Sequence, residues 1–135
     1  KNQDGEIIKL SDFLGKKIVI FFYPRANTPG CSAQACNLGD NYIEFKKRGY
    51  EIIGVSADNQ KSQKNFSNKY NLPFNLCCDE NKEIINDYGV WGLKKFRGKE
   101  YMGIIRTTFI IDEQGKIEEI IEKVKTKEHS SQILL

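Results

Sequence analysis

Apolar and polar residues alternate along the chain in blocks that predict strands and helices in turn. The most apolar block, Lys17–Tyr23, is typical of a strand buried on both faces. Shorter apolar blocks predict strands at Ile7–Leu10, Glu51–Ser56, Phe74–Cys78, Ile104–Asp112 and Lys116–Glu122. Apolar residues spaced three or four apart predict helices at Ser32–Arg48, Gln60–Tyr70 and Lys82–Tyr88. A last helix is expected to begin near Lys127.

Residues that favour turns separate these blocks. Ser11 is predicted to cap a single helical turn that ends at Gly15. Pro24 ends the apolar strand, and Asp112–Gly115 is predicted to form a hairpin turn. The segment Gly89–Gly103 is rich in glycine and predicts an irregular loop.

The order of elements predicts an α/β architecture, because strands alternate with helices before a closing hairpin. We expect a central mixed sheet, largely parallel and flanked by helices, with a C-terminal β-hairpin at its edge. This arrangement fits a thioredoxin-like fold. The 135 residues suffice for one core, so residues 1–135 are predicted to form a single domain. The chain starts at Lys1 without Met, which suggests that its start is trimmed.

Composition excludes several classes of function. Hydrophobic residues make up 39% and charged residues 29%, as in ordinary globular proteins. The net charge of +3 is spread among interspersed acids and bases, so no basic stripe for nucleic acid is present. The longest apolar run, Ile18–Phe22, is too short to span a membrane, and no signal-peptide pattern opens the chain. We therefore expect a cytoplasmic protein with no nucleic-acid or membrane partner.

The four cysteines are Cys31, Cys36, Cys77 and Cys78. A chain of this length needs no disulfide scaffold. No Cys-x2-Cys pattern is present, and the single histidine, His129, lies near an end that we expect to fray. The sequence therefore predicts neither a zinc site nor any other metal or cofactor. Free cysteines without an export signal favour a reducing compartment.

Cys31 carries the strongest chemical signal. It follows a loop at the carboxyl end of the buried strand, where α/β sheets form their sites. It also starts a predicted helix, and a helix N-terminus favours the thiolate, the reactive form of cysteine. Gly30 permits close backbone approach beside the sulfur, and Thr28 is near enough for its hydroxyl to reach the sulfur or a bound substrate. The alternative is an inert buried cysteine.

Cys36 follows five positions after Cys31. In an intact helix the two Cα atoms would be roughly 8 to 9 Å apart, whereas a disulfide tolerates about 7 Å at most. Either Cys36 is an inert helix residue, or oxidation unwinds the first turns. In the second case a peroxide converts the Cys31 thiolate to a sulfenic acid, and Cys36 condenses with it to a disulfide.

The segment Tyr23–Cys36 resembles the active-site segment of the peroxiredoxins. Pro24, Thr28 and Cys31 match the Pro-x3-Thr-x2-Cys signature of that family. The Cys-x4-Cys spacing is most similar to the Q-type, or bacterioferritin comigratory protein, subgroup. Three further segments match the subgroup: Gly89–Gly92, Gly98–Gly103 and Arg106–Asp112.

The resemblance implies a thioredoxin fold and the reduction of hydrogen peroxide and alkyl hydroperoxides. It implies that Cys31 is the peroxidatic cysteine and Cys36 the resolving one. Thr28 and Arg106 would hold the peroxide and stabilise the thiolate, and Pro24 would shield the pocket. The disulfide would be recycled by thioredoxin or a similar dithiol reductant, and the protein would be a monomer. Without the resemblance, Arg106 would be a surface residue on an edge strand.

The chain departs from the subgroup at three positions. Gln34 stands where the subgroup usually has Glu, which removes a negative charge near the helix start. Cys77 and Cys78 stand where Leu and Ser are common, and they are expected to be strand residues with one facing the core.

Two other functions remain open. One is a thioredoxin-like disulfide oxidoreductase, although such proteins normally carry the Cys-x2-Cys that is absent here. The other is a sensor that passes oxidation to a partner protein.

Overall fold

The computed structural model describes residues 2–13, 15–26, 28–96, 98–122 and 124–134. The strands are β1 (Lys17–Phe22), β2 (Tyr50–Ser56), β3 (Asn75–Cys78), β4 (Trp91–Phe96), β5 (Lys99–Ile104), β6 (Thr107–Ile111) and β7 (Ile117–Ile121). The helices are α1 (Pro29–Asp40), α2 (Tyr42–Lys47), α3 (Gln60–Tyr70), α4 (Glu83–Asp87) and α5 (His129–Leu134). Within these described ranges, no helix has the length and apolarity needed to cross a membrane.

Five strands form one mixed sheet in the order β3-β2-β1-β6-β7. The β3, β2 and β1 strands run parallel, whereas β6 pairs antiparallel with both β1 and β7. The β6–β7 hairpin closes at Asp112–Gly115, where the Gly115 amide donates to the Asp112 carbonyl at 3.0 Å. The predicted mixed sheet with a C-terminal hairpin at its edge is confirmed, but the sheet is not largely parallel, because two of its four strand pairings are antiparallel. The β4 and β5 strands form a separate antiparallel pair.

The central strand β1 divides the core between the two faces of the sheet, because neighbouring side chains of a strand point to opposite faces. One apolar cluster contains Val19 and Phe21 together with residues of α1, α2, α3 and α5. The other contains Ile18, Ile20 and Phe22 together with residues of α4 and of the segment that leads into β4. The carboxyl end of β1 therefore emerges from the middle of the molecule directly into the loop before α1.

The N-terminal segment differs from the predicted strand at Ile7–Leu10. Residues 6–9 pair with no strand within the described ranges, and Ile7 is 71% exposed. A short 3-10 helix, Leu10–Phe13, follows. Ser11 lies inside this turn, so the prediction that it caps the turn was wrong. The Asp12 carboxylate caps it instead, by accepting the Lys9 amide at 2.9 Å.

The predicted helix Ser32–Arg48 is two helices, α1 and α2, which meet at Asn41. The Asn41 side chain donates to the Asn37 carbonyl at 2.8 Å. Asparagine competes in this way with the backbone hydrogen bonds of a helix. The apolar spacing continues through Tyr42 and Phe45, which is why the break is invisible in the hydrophobic pattern.

The segment Gly89–Gly103 is not irregular, because it contains most of the β4–β5 hairpin. The predicted strand Ile104–Asp112 is interrupted: Ile104 ends β5, Thr107 begins β6, and Ile105 and Arg106 lie between them. The Ile105 amide donates to the Val90 carbonyl at 2.7 Å, which ties this break to the start of β4.

His129 is fully buried, which contradicts the expectation that it lies at a frayed end. Its Nδ1 lies 2.8 Å from the side-chain oxygen of Gln132, which requires a proton on that nitrogen. Its Nε2 lies 2.7 Å from the hydroxyl of Thr108 on β6 and accepts a hydrogen bond there. These contacts seat α5 against the sheet. Burial is the main cause that lowers the pKa of His129.

The burial of neutral His129 predicts a pH-dependent stability. A lowered pKa in the folded state means that the unfolded chain takes up the proton first as the pH falls below about 6.5. The free energy of unfolding should therefore fall between pH 7.5 and pH 5.5, by at most about 1.4 kcal/mol per pH unit for one proton. Urea titrations measure it. His129→Gln should be less stable at pH 7.5 but should lose less stability on acidification, and an equal loss in both proteins would contradict the prediction.

Candidate active site

Cys31 lies in the first turn of α1. The helix begins at Pro29 after Thr28, whose backbone is extended at φ −90° and ψ 153°. Proline suits the first helical position, where the backbone N–H would have no partner in the helix. The Thr28 carbonyl accepts the Ser32 amide at 2.8 Å and closes the first turn. Cys31 is only 1% exposed, so the thiol is buried at the positive end of a twelve-residue helix.

Arg106 reaches this thiol from the break between β5 and β6. Its Nη2 lies 3.2 Å from the Cys31 sulfur. A Cβ on Gly30 would lie 3.3 Å from the same nitrogen, so glycine at this position leaves the space that the guanidinium occupies. The strand pattern alone had suggested an edge strand for Arg106. The adjacent strand β6 is instead paired on both sides, and its first residue, Thr107, lies opposite Phe22 at the end of β1.

Gln34 is the second partner of Arg106. Its side-chain oxygen accepts from Arg106 Nη1 at 2.6 Å, and the side chain is fully buried. Its amide nitrogen has no hydrogen-bond partner within the described ranges. The sequence marked Gln34 only as a departure from the subgroup. Its position three residues after Cys31 could have placed it on the same face of the helix.

Thr28 and Pro24 lie in the wall of a pocket that opens above Arg106. The Thr28 hydroxyl donates to the Arg25 carbonyl at 2.9 Å, so its proton points into the loop rather than toward a ligand. Its oxygen still has lone pairs that can accept a hydrogen bond. The predicted contact between this hydroxyl and the sulfur or substrate stays a prediction.

The β4–β5 hairpin supplies the opposite wall of the pocket. Its lining residues there are Trp91, Lys94, Tyr101, Met102, Gly103 and Ile104. Positive charges predominate around the opening, since Arg25, Lys82, Lys94 and Arg106 line it against one acid, Asp58. Such a pocket favours electron-rich oxygen atoms and negative charge that develops during a reaction.

Asp58 holds the loop before α1 in place. Its Oδ2 accepts from the Ala26 amide at 2.8 Å and from the Ser56 hydroxyl at 2.7 Å. Gln63 continues the network: it donates to Ser56 at 3.0 Å and accepts from the buried Tyr23 hydroxyl. The sequence did not indicate these roles, because the residues are far apart along the chain.

Comparison with known proteins assigns this chain to a family. Residues 1–120 match the model of the AhpC/TSA family. Peroxiredoxin Bcp of Escherichia coli strain K12 is 44% identical over 133 residues, which are 98% of this chain and 85% of that protein. Peroxiredoxin Bcp of Bacillus subtilis strain 168 is 46% identical over 134 residues, 99% of this chain and 85% of that protein. A solved structure of peroxiredoxin Q from Xanthomonas campestris superposes with a TM-score of 0.93 at 34% identity, covering 99% of this chain and 85% of that one.

The chain belongs to the AhpC/TSA family and is a peroxiredoxin. Peroxiredoxins are thiol peroxidases, so the protein is an enzyme of that class. The structural match also confirms the thioredoxin-like fold that the sequence predicts. The resemblance of the Cys31 segment to the Q-type subgroup agrees with the names of these relatives.

Cys36 lies in the next turn of the peroxiredoxin's α1 and is partly exposed. Burial, and then the charge of Asp40, raise the pKa of its thiol. The helix is continuous through both cysteines, so the ideal separation of roughly 8 to 9 Å between their Cα atoms applies. Both thiols are free, and a disulfide between them requires that the start of α1 unwinds.

Cys77 and Cys78 lie outside this site, on β3. Cys77 is buried in the apolar cluster around α4, which confirms that one of the two faces the core. Burial raises the pKa of the Cys77 thiol. Burial, and then the charge of Cys77, raise the pKa of the Cys78 thiol to about 11. Both thiols are therefore protonated and weakly nucleophilic near neutral pH.

The contact between Gln34 and Arg106 predicts that Gln34 positions the guanidinium over the sulfur. Gln34→Leu removes the acceptor and should slow the oxidation of the protein by hydrogen peroxide by about tenfold, the equivalent of one charge-assisted hydrogen bond. Single-turnover mixing with peroxide measures this rate. Ser32→Ala is the matched control, since the buried Ser32 hydroxyl has no partner within the described ranges. Equal rates for the two variants would show that Gln34 does not position Arg106.

Proposed function

We propose that this peroxiredoxin reduces hydrogen peroxide and alkyl hydroperoxides with Cys31 as its peroxidatic cysteine. The observation that carries the proposal is the 3.2 Å contact between Arg106 Nη2 and the Cys31 sulfur at the start of α1. A cation and a helix N-terminus both favour the thiolate over the thiol. The substrate class is supported by a structural relative, the Xanthomonas campestris bacterioferritin comigratory protein, whose structure is described with its alkyl peroxide reduction activity.

In the first step the Cys31 thiolate attacks the terminal oxygen of the peroxide. A sulfur–oxygen bond forms as the O–O bond breaks, and the electron pair leaves with the other oxygen. Cys31 becomes a sulfenic acid, and the peroxide becomes water or an alcohol after protonation. Arg106 stabilises the negative charge that passes from the sulfur to the departing oxygen.

Two residues of the loop before α1 and one residue of its first turn shape the position of the peroxide. The Thr28 oxygen is available to accept the hydrogen bond of the peroxide O–H, since its own proton is donated to Arg25. Pro24 lines the pocket and shields it from water, while Gly30 leaves room for Arg106 and for the substrate beside the sulfur.

In the second step Cys36 acts as the resolving cysteine. Its thiol condenses with the Cys31 sulfenic acid, so that a disulfide forms and water leaves. The intact helix separates the two sulfurs, so this step needs the first turns of α1 to open. Helix ends open at low free-energy cost compared with the core of a domain.

A dithiol protein such as thioredoxin would complete the cycle by reducing the disulfide. The proposal includes a single domain over residues 1–135, a monomer and a cytoplasmic location. The four free cysteines support a reducing compartment, and the two apolar clusters share one sheet, as in a single domain.

The proposed chemistry predicts different defects for the two cysteines of α1. Cys31→Ser should abolish peroxide consumption, because Cys31 is the thiol that lies at the start of α1 with the Arg106 guanidinium 3.2 Å from its sulfur. Cys36→Ser should still consume about one equivalent of peroxide and then stop, because its sulfenic acid has no resolving partner. Peroxide loss with a thioredoxin system measures both, and Cys78→Ser, on β3, serves as the control with wild-type turnover.

Peptide mapping after one equivalent of peroxide tests the pairing. We expect a bridge between Cys31 and Cys36. Continued turnover by Cys31→Ser would overturn the assignment of the nucleophile. A bridge from Cys31 to Cys77 or Cys78 would overturn only the resolving role of Cys36.

A further inference from the structure

The β4–β5 hairpin carries a lysine side chain toward the break that contains Arg106. Lys94 on β4 lies opposite Tyr101 on β5. Its ammonium donates to the Ile104 carbonyl at 2.9 Å, two residues before Arg106. A Cβ on Gly103 would lie 3.2 Å from Lys94 Cδ, so the glycine opens the path along which the lysine stem crosses to β5. The ammonium is therefore held at a defined place in the pocket wall.

Lys94 shares a pocket with Arg106, which together with Cys31 forms the catalytic pair. It is partly buried and lines the same pocket as Thr28 and Arg106. Burial and the nearby charge of Arg106 lower the pKa of Lys94, while the Cys31 sulfur acts in the opposite direction. An ammonium in this environment gives up a proton more readily than one in water. Two of its three N–H groups are not used by the bond to Ile104.

The first chemical step needs a proton that the catalytic pair does not supply. The oxygen that leaves an alkyl hydroperoxide departs as a strongly basic alkoxide. Arg106 stabilises negative charge but does not release a proton in proteins. Thr28 donates its hydroxyl proton to the Arg25 carbonyl. Lys82, the other lysine of the pocket, places its ammonium 5.2 Å from the ring centre of Trp91, whereas Lys94 donates to a carbonyl two residues before Arg106.

We propose that Lys94 is a further catalytic residue, which protonates the departing oxygen of the peroxide. The role rests on the proposed function of Cys31. The thiolate bonds to the terminal oxygen, the O–O bond breaks, and its electron pair goes to the second oxygen, which takes a proton from Lys94 Nζ. The products are the Cys31 sulfenic acid, an alcohol and a neutral lysine amine. The amine regains its proton from water before the next turnover.

A comparison of two peroxides separates proton donation from a general effect of charge. tert-Butyl hydroperoxide releases a basic alkoxide that needs a proton, whereas peracetic acid releases acetate, which is stable without one. Lys94→Met should slow the oxidation of Cys31 by tert-butyl hydroperoxide by about 100-fold, the lower range for general acid catalysis. The rate with peracetic acid should fall much less, by roughly threefold, for the lost charge alone. Single-turnover oxidation of the full chain measures both rates.

Two further variants make the test decisive. Lys94→Arg keeps the positive charge but has no proton to release, so it should show the same selective loss with the alkyl hydroperoxide. Lys82→Met removes a charge from the same pocket and should slow both peroxides by the same factor. An equal loss for the two peroxides in Lys94→Met, or a wild-type rate ratio in Lys94→Arg, would overturn proton donation by Lys94.

The controls also separate this inference from the proposed function. If the wild-type protein reacts with neither peroxide through Cys31, the proposed function fails and the role of Lys94 fails with it. If the wild type reacts and only the rate ratio is unchanged, the proposed function stands and Lys94 is a charged wall residue. Lys94→Gln gives a second neutral variant should the methionine variant fail to fold, and it should show the same selective loss.

Discussion

The contact between the Arg106 guanidinium and the Cys31 sulfur is the interaction on which the rest of the site depends. The Cys31 side chain is only 1% exposed, so its sulfur meets protein groups rather than water. The nearest charge is the guanidinium, with Nη2 at 3.2 Å, and the N-terminus of α1 adds its partial positive charge. Gln34 holds the other end of the guanidinium with a neutral oxygen rather than a carboxylate. Gln34 therefore does not neutralise the positive charge of Arg106, and this charge acts on the Cys31 sulfur.

The proposed catalytic cycle places two opposing requirements on the same helix. Its first turn has to be folded for Cys31 to meet Arg106, and it has to open before Cys36 can reach Cys31. The structure shows where such an opening would meet resistance. Asn37 donates to the Lys127 carbonyl at 3.0 Å and accepts the Ser130 amide at 2.7 Å, which fastens the helix to the start of α5 immediately after Cys36. An opening limited to the turns before Asn37 would release Cys31 and leave this attachment intact.

The sequence predicted the buried framework well and the irregular parts poorly. The run from Lys17 to Tyr23 identified β1, because only a central strand tolerates apolar residues on both faces. The helix Gln60–Tyr70 was predicted with the bounds that the structure has. The break at Asn41 was missed, since it depends on a side chain that competes with the backbone. The buried position of His129 was missed because its partner, Thr108, is distant in sequence and the tail has no clear hydrophobic period.

The least predictable segments are those that complete the pocket. The hairpin of β4 and β5 carries glycines and lysines where a core strand would carry apolar residues, so its pattern was read as a loop. The interruption at Ile105 and Arg106 falls inside an apolar run, so the hydrophobic pattern does not reveal it. Both departures have a physical reason, because Gly103 gives Lys94 its path to Ile104 and the interruption turns Arg106 toward α1. Hydrophobic patterning reports what a residue contributes to the core. Hydrophobic periodicity therefore does not detect side chains that line a charged pocket. In this chain the family signature around Cys31 indicated where those side chains converge.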